Sequence, residues 1–158
     1  MPRTPFTVRR SAAVMVLALA SISFASCSGG EPLGPQASIE FLVGDWKAER
    51  FVIQSKTNPE IAPELIKGLG GEFSINIQPS GQYTAILVYQ GSPFTEIGRI
   101  EIEGNEVVFR VSYPEAAVNR SRYTLAAGLL ILIGDTDFDF NRDGRTEPAT
   151  ARIELRRR

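Results

Sequence analysis

Hydrophobic and polar residues alternate with a period of two along most of the chain after residue 72. In residues 73–78, apolar side chains at every second position alternate with Ser, Asn and Gln. Such alternation is typical of a β-strand with one buried face and one face in water. The pattern predicts eight strands in total, at residues 46–53, 73–78, 82–90, 95–103, 107–113, 120–125, 129–135 and 149–156.

The segments between the predicted strands are mostly short and contain Gly, Pro, Ser or Asn. Short turns make strands that follow each other in sequence pair antiparallel in space. An open sheet of eight strands would leave an apolar face in water and two edges unpaired, and closure into a barrel removes both problems. We therefore predict an all-β fold, an antiparallel up-and-down eight-stranded barrel. A two-sheet sandwich is the alternative, although the long cross-over connections it uses are scarce here.

Two short helical segments are predicted beside the strands. Residues 38–43 can form one helical turn that closes an end of the barrel, with Ser38 as its N-cap. Residues 58–69 are predicted to form a short helical insert or two turns, because Asn58 can cap a helix there and Pro59 suits its first position. Glycines after this segment would end it.

The first 37 residues differ from the rest of the chain. The first ten residues include three arginines and no acid. A short apolar run follows, and residues 1–26 end in small residues. This is the pattern of a secretory signal peptide, and the apolar run is shorter than the ~20 residues of a membrane-spanning helix. Residues 27–37 are rich in Gly and Pro, which predicts a flexible tether. Residues 38–158 are then the folded domain.

Residues 24–27, with the sequence FASC, resemble the lipobox of bacterial lipoproteins. In that family the cysteine becomes the lipidated first residue of the mature protein. The resemblance implies that Cys27 carries a lipid anchor and that the domain is exported to the bacterial cell envelope. Ser28 after the cysteine is compatible with the outer membrane. Phe24 departs from the family's usual Leu, and the alternative is ordinary cleavage near Ala25 with Cys27 as a spare thiol.

The composition excludes several kinds of chemistry. The chain contains no His and one Cys, so a Ser-His-Asp triad or a His-ligated metal site cannot be built, and no disulfide can form within it. Without residues 1–26, 14 basic residues (17 − 3) face 18 acidic ones, a net charge of −4. Such a domain is not expected to bind nucleic acid. No arrangement of carboxylates, Lys, Tyr or Ser in the sequence implies catalysis, so we do not expect the protein to be an enzyme.

A Gly-x-Trp motif at residues 44–46 stands directly before the first predicted strand. Together with the helical turn ahead of it and the eight-strand meander, it makes residues 39–156 similar to the lipocalin-like families, in particular to small bacterial lipocalin-like lipoproteins. The resemblance implies that Trp46 closes the floor of the barrel and that a basic residue of the last strand packs across it. Arg152 or Arg156 would fill that part through a cation–π contact.

The resemblance also implies that the open end of the barrel takes a small hydrophobic or amphipathic molecule. Tyrosines suit such a wall, because the ring packs while the hydroxyl orients a polar group. The residues expected to bind the ligand are Phe73, Ile75, Tyr83, Leu87, Tyr89, Phe109, Val111, Tyr113 and Tyr123. The same side chains can instead fill a small closed barrel. The alternative function is therefore a filled structural or interaction barrel of the cell envelope without a small-molecule ligand.

An acidic loop at residues 135–147 contains the strongest local motif. Oxygen-bearing side chains occupy alternate positions ahead of Gly144, as they do at the start of an EF-hand calcium loop. The closing acid of such a loop is missing, because its position holds Thr150. The alternative is a hairpin tip between the last two strands. We expect no cofactor apart from this candidate calcium ion. The candidate metal ligands are Asp137, Asp139, Asn141 and Asp143.

Overall fold

The computed structural model describes residues 38–158, which form a closed antiparallel barrel of eight strands. The strands follow one another around the barrel in chain order, and the last pairs with the first. They are β1 (Gly44–Ser55), β2 (Glu72–Ile77), β3 (Gln82–Tyr89), β4 (Ser92–Glu103), β5 (Glu106–Tyr113), β6 (Ala117–Ala126), β7 (Leu129–Phe138) and β8 (Glu147–Arg157). The prediction of an all-β up-and-down eight-stranded barrel is confirmed. The predicted signal peptide, tether and Cys27 lie outside the described residues.

A single turn of 3-10 helix, Glu40–Leu42, is the only helical element among residues 38–158. It confirms the predicted helical turn ahead of the first strand, but its N-cap residue is Ile39 and not the predicted Ser38. Leu42 is buried, and the Ser38 hydroxyl oxygen accepts the backbone N–H of Glu40 at 3.2 Å. No helix within this part of the chain is long and apolar enough to cross a membrane.

The connections alternate between the two ends of the barrel, as an up-and-down topology requires. We call the end next to the 3-10 turn the closed end and the other the open end. The closed end carries three tight turns, at residues 78–81, 104–105 and 127–128. The open end carries two long connections, at residues 56–71 and 139–146, and two short ones, at residues 90–91 and 114–116.

The predicted helical insert at residues 58–69 is wrong, because this segment forms turns and no helix. Its backbone bonds to the edge of β1 instead. The Leu65 N–H donates to the Phe51 carbonyl at 2.7 Å, and the Ile53 N–H donates to the Pro63 carbonyl at 3.1 Å. β2 pairs only with the first four residues of β1, so the rest of that edge needs another partner. A proline in the middle of the segment also disfavours helical hydrogen bonding.

The Glu64 carboxylate holds this segment in place. It accepts the backbone N–H groups of Phe51 at 3.0 Å, Ile66 at 3.1 Å, Lys67 at 2.5 Å and Gly68 at 2.8 Å. Burial raises the pKa of the Glu64 carboxyl, but the four backbone hydrogen bonds outweigh it and keep that pKa below its ordinary value. One side chain thus supplies acceptors for backbone donors that a helix would have paired internally.

Pairing between β6 and β7 ends early on the way to the open end. The ladder runs from Ala126 and Leu129 to Ser121 and Gly134. Beyond it, the first four residues of β6 pair only with β5, and the last four of β7 pair only with β8. The two strands are therefore not paired with each other from there to the open end, and we call this stretch the opening between β6 and β7.

Candidate ligand-binding site

The barrel contains a cavity of about 730 Å³ on the side of the open end. All eight strands contribute to its lining, because every second residue of a strand points into the barrel. The volume lies within the range typical of small-molecule sites. Its apolar wall is made by Phe51, Phe73, Ile75, Ala85, Leu87, Phe109, Leu132, Ala151 and Ile153.

The floor at the closed end is built around Trp46, which is almost completely buried. The Trp46 Nε1–H donates to the Leu42 carbonyl at 2.8 Å. The guanidinium carbon of Arg157 lies 4.7 Å from the centre of the indole ring. An Arg157 N–H also donates to the Phe41 carbonyl at 2.8 Å. The 3-10 turn, the indole and the last strand therefore lock one another in place.

The basic residue over Trp46 is thus Arg157, and the assignment to Arg152 or Arg156 is wrong. Both of these arginines form ion pairs with glutamates on the outside of the barrel. The register between β1 and β8 explains the difference, because it places Arg157 directly opposite Trp46. Side chains opposite each other in an antiparallel pair project to the same face.

Five of the nine predicted ligand-binding residues line the cavity, namely Phe73, Ile75, Tyr83, Leu87 and Phe109. Tyr123 lies at the closed end instead, where its ring stacks on Phe41 with centroids 5.4 Å apart. Tyr89 packs against Phe138, with centroids 6.3 Å apart, and Val111 is buried outside the cavity lining.

The prediction of an inward Tyr113 is wrong, because this side chain is 55% exposed. The ladder between β4 and β5 shifts register between Ile97 and Gly98, so that Val111 pairs with Gly98 and Tyr113 pairs with Ile97. One extra residue in a strand reverses the face of every side chain beyond it. No periodicity in the sequence marks this bulge.

Tyr83 has a polar partner inside the cavity, Glu96, which was not predicted from the sequence. The Tyr83 hydroxyl donates to Glu96 Oε1 at 2.6 Å, and both residues line the cavity. Burial, followed by the hydrogen bond to Glu96 and its negative charge, raises the pKa of Tyr83 well above its ordinary value. The alternation along β4 could have identified Glu96 as inward-facing, because counting back by twos from the inward Ile102 reaches position 96.

Gly98 makes the place for the Tyr83 ring. The two residues are directly opposite each other in the ladder between β3 and β4. A Cβ at Gly98 would lie 3.0 Å from Tyr83 Cε1 and would overlap the Arg110 carbonyl oxygen. Because Gly98 has no side chain, the Tyr83 ring has the space it needs to reach Glu96.

Further polar groups lie around the opening between β6 and β7. Lys56, directly after β1, has its Nζ 2.7 Å from Asp135 Oδ2 on β7, so this ion pair spans β8 at the rim. Lys56 carries the one positive charge among the described residues that line the cavity. The other polar residues of this side are Asn119, Ser121, Thr136 and Asp137. The cavity thus has an apolar wall and one polar side.

The oxygens of the acidic loop accept hydrogen bonds from the loop itself. Asp139 accepts the N–H of Gly144 at 2.8 Å and that of Asp143 at 3.2 Å. Asp143 accepts the N–H of Arg145 at 2.8 Å. These are the bonds of a hairpin tip with Asx turns. Within residues 38–158, no group of three or more Asp, Glu or Cys side chains is arranged to hold a metal ion, and calcium binding by Asp137, Asp139, Asn141 and Asp143 stays a prediction.

Comparison of the chain with protein-family models, curated proteins and solved structures finds no match. The similarity to the lipocalin-like families therefore rests on the Gly-x-Trp motif and the strand pattern.

Proposed function

We propose that this protein is a lipid-anchored binding protein of the bacterial cell envelope, whose barrel holds a small hydrophobic or amphipathic molecule. The observation that carries the proposal is the cavity of about 730 Å³, open at one end and lined by apolar side chains. A filled structural barrel would use the same side chains to occupy that space. Binding, rather than catalysis, is the role that such a cavity supports.

The lining favours a ligand with an apolar part and one polar end. An apolar tail packs against rings such as Phe73 and Phe109, and its transfer from water contributes about 25 cal/mol per Å² of apolar surface buried. Polar atoms of Glu96 and Asn119 lie on the lining where a head group needs partners. This division orients an amphiphile, because each end finds a matching environment.

The envelope location in this proposal is supported by residues 1–37. These residues have the arginines and the short apolar run of a signal peptide, and Cys27 follows small residues as in a lipobox. Replacement of Cys27 by Ser is expected to abolish incorporation of labelled palmitate and to release the protein from the membrane fraction. Unchanged labelling would contradict lipidation at this cysteine.

A binding measurement tests the cavity directly. Residues 28–158 suffice, because all strand pairs lie between residues 44 and 157. Titration with the fluorescent apolar probe N-phenyl-1-naphthylamine is expected to saturate at one probe per barrel. The Ala85→Phe variant places a ring inside the cavity and should weaken binding about tenfold or more, which corresponds to about 1.4 kcal/mol.

The matched control is Thr84→Phe, which places the same ring on the outer face of β3. This variant should bind the probe as the unaltered barrel does. Thermal melting of both variants verifies that the barrel remains folded. Equal probe affinities of Ala85→Phe and the unaltered barrel would contradict a ligand inside the cavity.

The second candidate function is an interaction barrel that contacts another envelope component. It is favoured by apolar side chains on the outer wall, where Ile86, Ile97 and Tyr113 are exposed on three neighbouring strands. Ile97 and Tyr113 are partners in the ladder between β4 and β5. Single exposed apolar residues are common on soluble proteins, so the cavity carries more weight than this surface.

A further inference from the structure

The charges along the cavity do not balance. Glu96 is the carboxylate of the lining that faces the interior, whereas Asp135 and Asp137 are exposed at the rim, and Lys56 is the only ammonium among the described lining residues. Lys56 Nζ already lies 2.7 Å from Asp135. No described salt bridge involves Glu96, so the carboxylate that faces the cavity has no cationic partner within the described part of the chain.

Glu96 is fixed in the wall of the barrel and points inward. It pairs in the ladder with Ala85, which is buried, and lies on the same face of β4 as Gly98. Its Oε1 accepts the Tyr83 hydroxyl at 2.6 Å. Its other oxygen has no hydrogen-bond partner among residues 38–158 and remains available to a molecule in the cavity.

We infer, resting on the proposed function, that the cavity selects an amphiphile with a cationic, hydrogen-bond-donating head, such as a long-chain primary amine, and that Glu96 binds its ammonium group. A carboxylate beside apolar walls is costly unless a donor or an opposite charge reaches it. An ammonium group supplies both the charge and the N–H donors.

The same geometry disfavours an anionic head group. A fatty-acid carboxylate at this position would lie beside Glu96, and like charges repel more strongly where water is excluded. Lys56 offers little compensation, since it is already paired with Asp135. A bare divalent cation is also poorly suited, because calcium takes 6–8 oxygen ligands and the described residues contain no cluster of three or more suitable side chains.

The test compares three ligands with the same twelve-carbon tail: dodecylamine, 1-dodecanol and dodecanoate. Each is titrated into residues 28–158 by calorimetry near neutral pH, below the concentration at which it aggregates. Dodecylamine is expected to bind about tenfold tighter than 1-dodecanol, which corresponds to about 1.4 kcal/mol, because its hydrogen bond to Glu96 is charge-assisted. Dodecanoate is expected to bind more weakly than 1-dodecanol.

Glu96→Gln keeps the size of the side chain and an oxygen for the Tyr83 hydroxyl, and removes the charge. It should abolish the preference for dodecylamine over 1-dodecanol. Glu115→Gln is the matched control, because it makes the same charge change in a connection at the open end, and Glu115 does not line the cavity. This control should keep the preference.

The outcomes separate the inference from the proposed function. Dodecanoate or 1-dodecanol binding as tightly as dodecylamine would overturn the cationic head group and leave a binding barrel intact. A preference for the amine that persists in Glu96→Gln would overturn the role of Glu96. Failure of all three ligands to bind would contradict the proposed function itself and the inference with it. The comparison of ligands uses the unaltered barrel and so does not depend on the folding of a variant.

Discussion

The Tyr83 hydroxyl and Glu96 Oε1 are 2.6 Å apart inside the barrel, across the neighbouring strands β3 and β4. The two residues are not direct partners in the ladder, because Tyr83 pairs with Gly98 and Glu96 pairs with Ala85. The phenol reaches the carboxylate diagonally over a glycine. The polar feature of the cavity therefore depends on a position that carries no side chain.

Tyr83→Phe is expected to lower the free energy of unfolding by about 1–2 kcal/mol, since it removes a hydrogen bond to a charged group. It should also change the response to alkali. The pKa of Tyr83 is raised in the folded protein above its ordinary value of 10.0. The stability that follows from this shift is complete below pH 10 and is lost as the pH rises through the folded-state pKa.

Denaturant unfolding between about pH 9 and pH 11 measures this effect. The unaltered barrel should lose stability with rising pH more steeply than Tyr83→Phe does. Identical slopes in the two proteins would show that the Tyr83 hydroxyl is not held in its protonated form by the fold.

Gly98→Ala should be strongly destabilising and should weaken ligand binding. The added methyl group overlaps the Arg110 carbonyl oxygen and lies 3.0 Å from the Tyr83 ring, and overpacking of this kind costs about 1–3 kcal/mol. Thr95→Ala, on the outer face of the same strand, is the control and should change stability little. A Gly98→Ala barrel with unaltered melting temperature would argue against the close contact between β4, β5 and the phenol.

Arg157→Ala is expected to destabilise the barrel by about 1–2 kcal/mol, because it loses a cation–π contact and a hydrogen bond. Trp46 is the only tryptophan, so the emission spectrum reports on this floor and should shift. Arg158→Ala is the matched control, since Arg158 contacts Asp45 through its backbone N–H. Equal effects of the two substitutions would contradict the special position of Arg157.

Glu64→Gln is expected to lower the free energy of unfolding at neutral pH by about 1–3 kcal/mol, because the carboxylate accepts four backbone N–H groups. The folded-state pKa of Glu64 is lowered from 4.5. The associated stability is therefore complete above pH 4.5 and is lost as the pH falls through the folded-state value.

Unfolding measured between about pH 6 and pH 3 tests the sign of this linkage. Glu64→Gln should lose less stability on acidification than the unaltered barrel. Glu60→Gln changes an exposed acid of the same connection and should behave as the unaltered barrel does. If Glu64→Gln and the unaltered barrel respond to acid equally, Glu64 does not hold this segment through its charge.

The barrel was predictable because its two main causes are local. Alternation with period two identifies the strands, and short turns fix their antiparallel order. The conformation of residues 58–69 was not predictable in this way. Their sequence starts like a helix, but it carries no information about the free edge of β1 to which their backbone bonds. Hydrogen bonds to a distant strand outweighed local propensity there.

The site was predictable only in part, because strand register is not a local property. Alternation alone placed Phe73 and Ile75 in the wall correctly, but a bulge turned Tyr113 outward. Pairing across the closure of the barrel set Arg157 against Trp46. Glu96 was overlooked because an acidic residue is expected to face water, although continued alternation points it inward.

The most direct test of the binding barrel is a native mass spectrum of residues 28–158, before and after incubation with lipid extract from the cell envelope. A binding barrel should show an added mass of one small molecule per barrel, which disappears on denaturation and does not form with Ala85→Phe. A bare protein mass before and after incubation would contradict a binding role and leave the barrel as a structural or interaction domain.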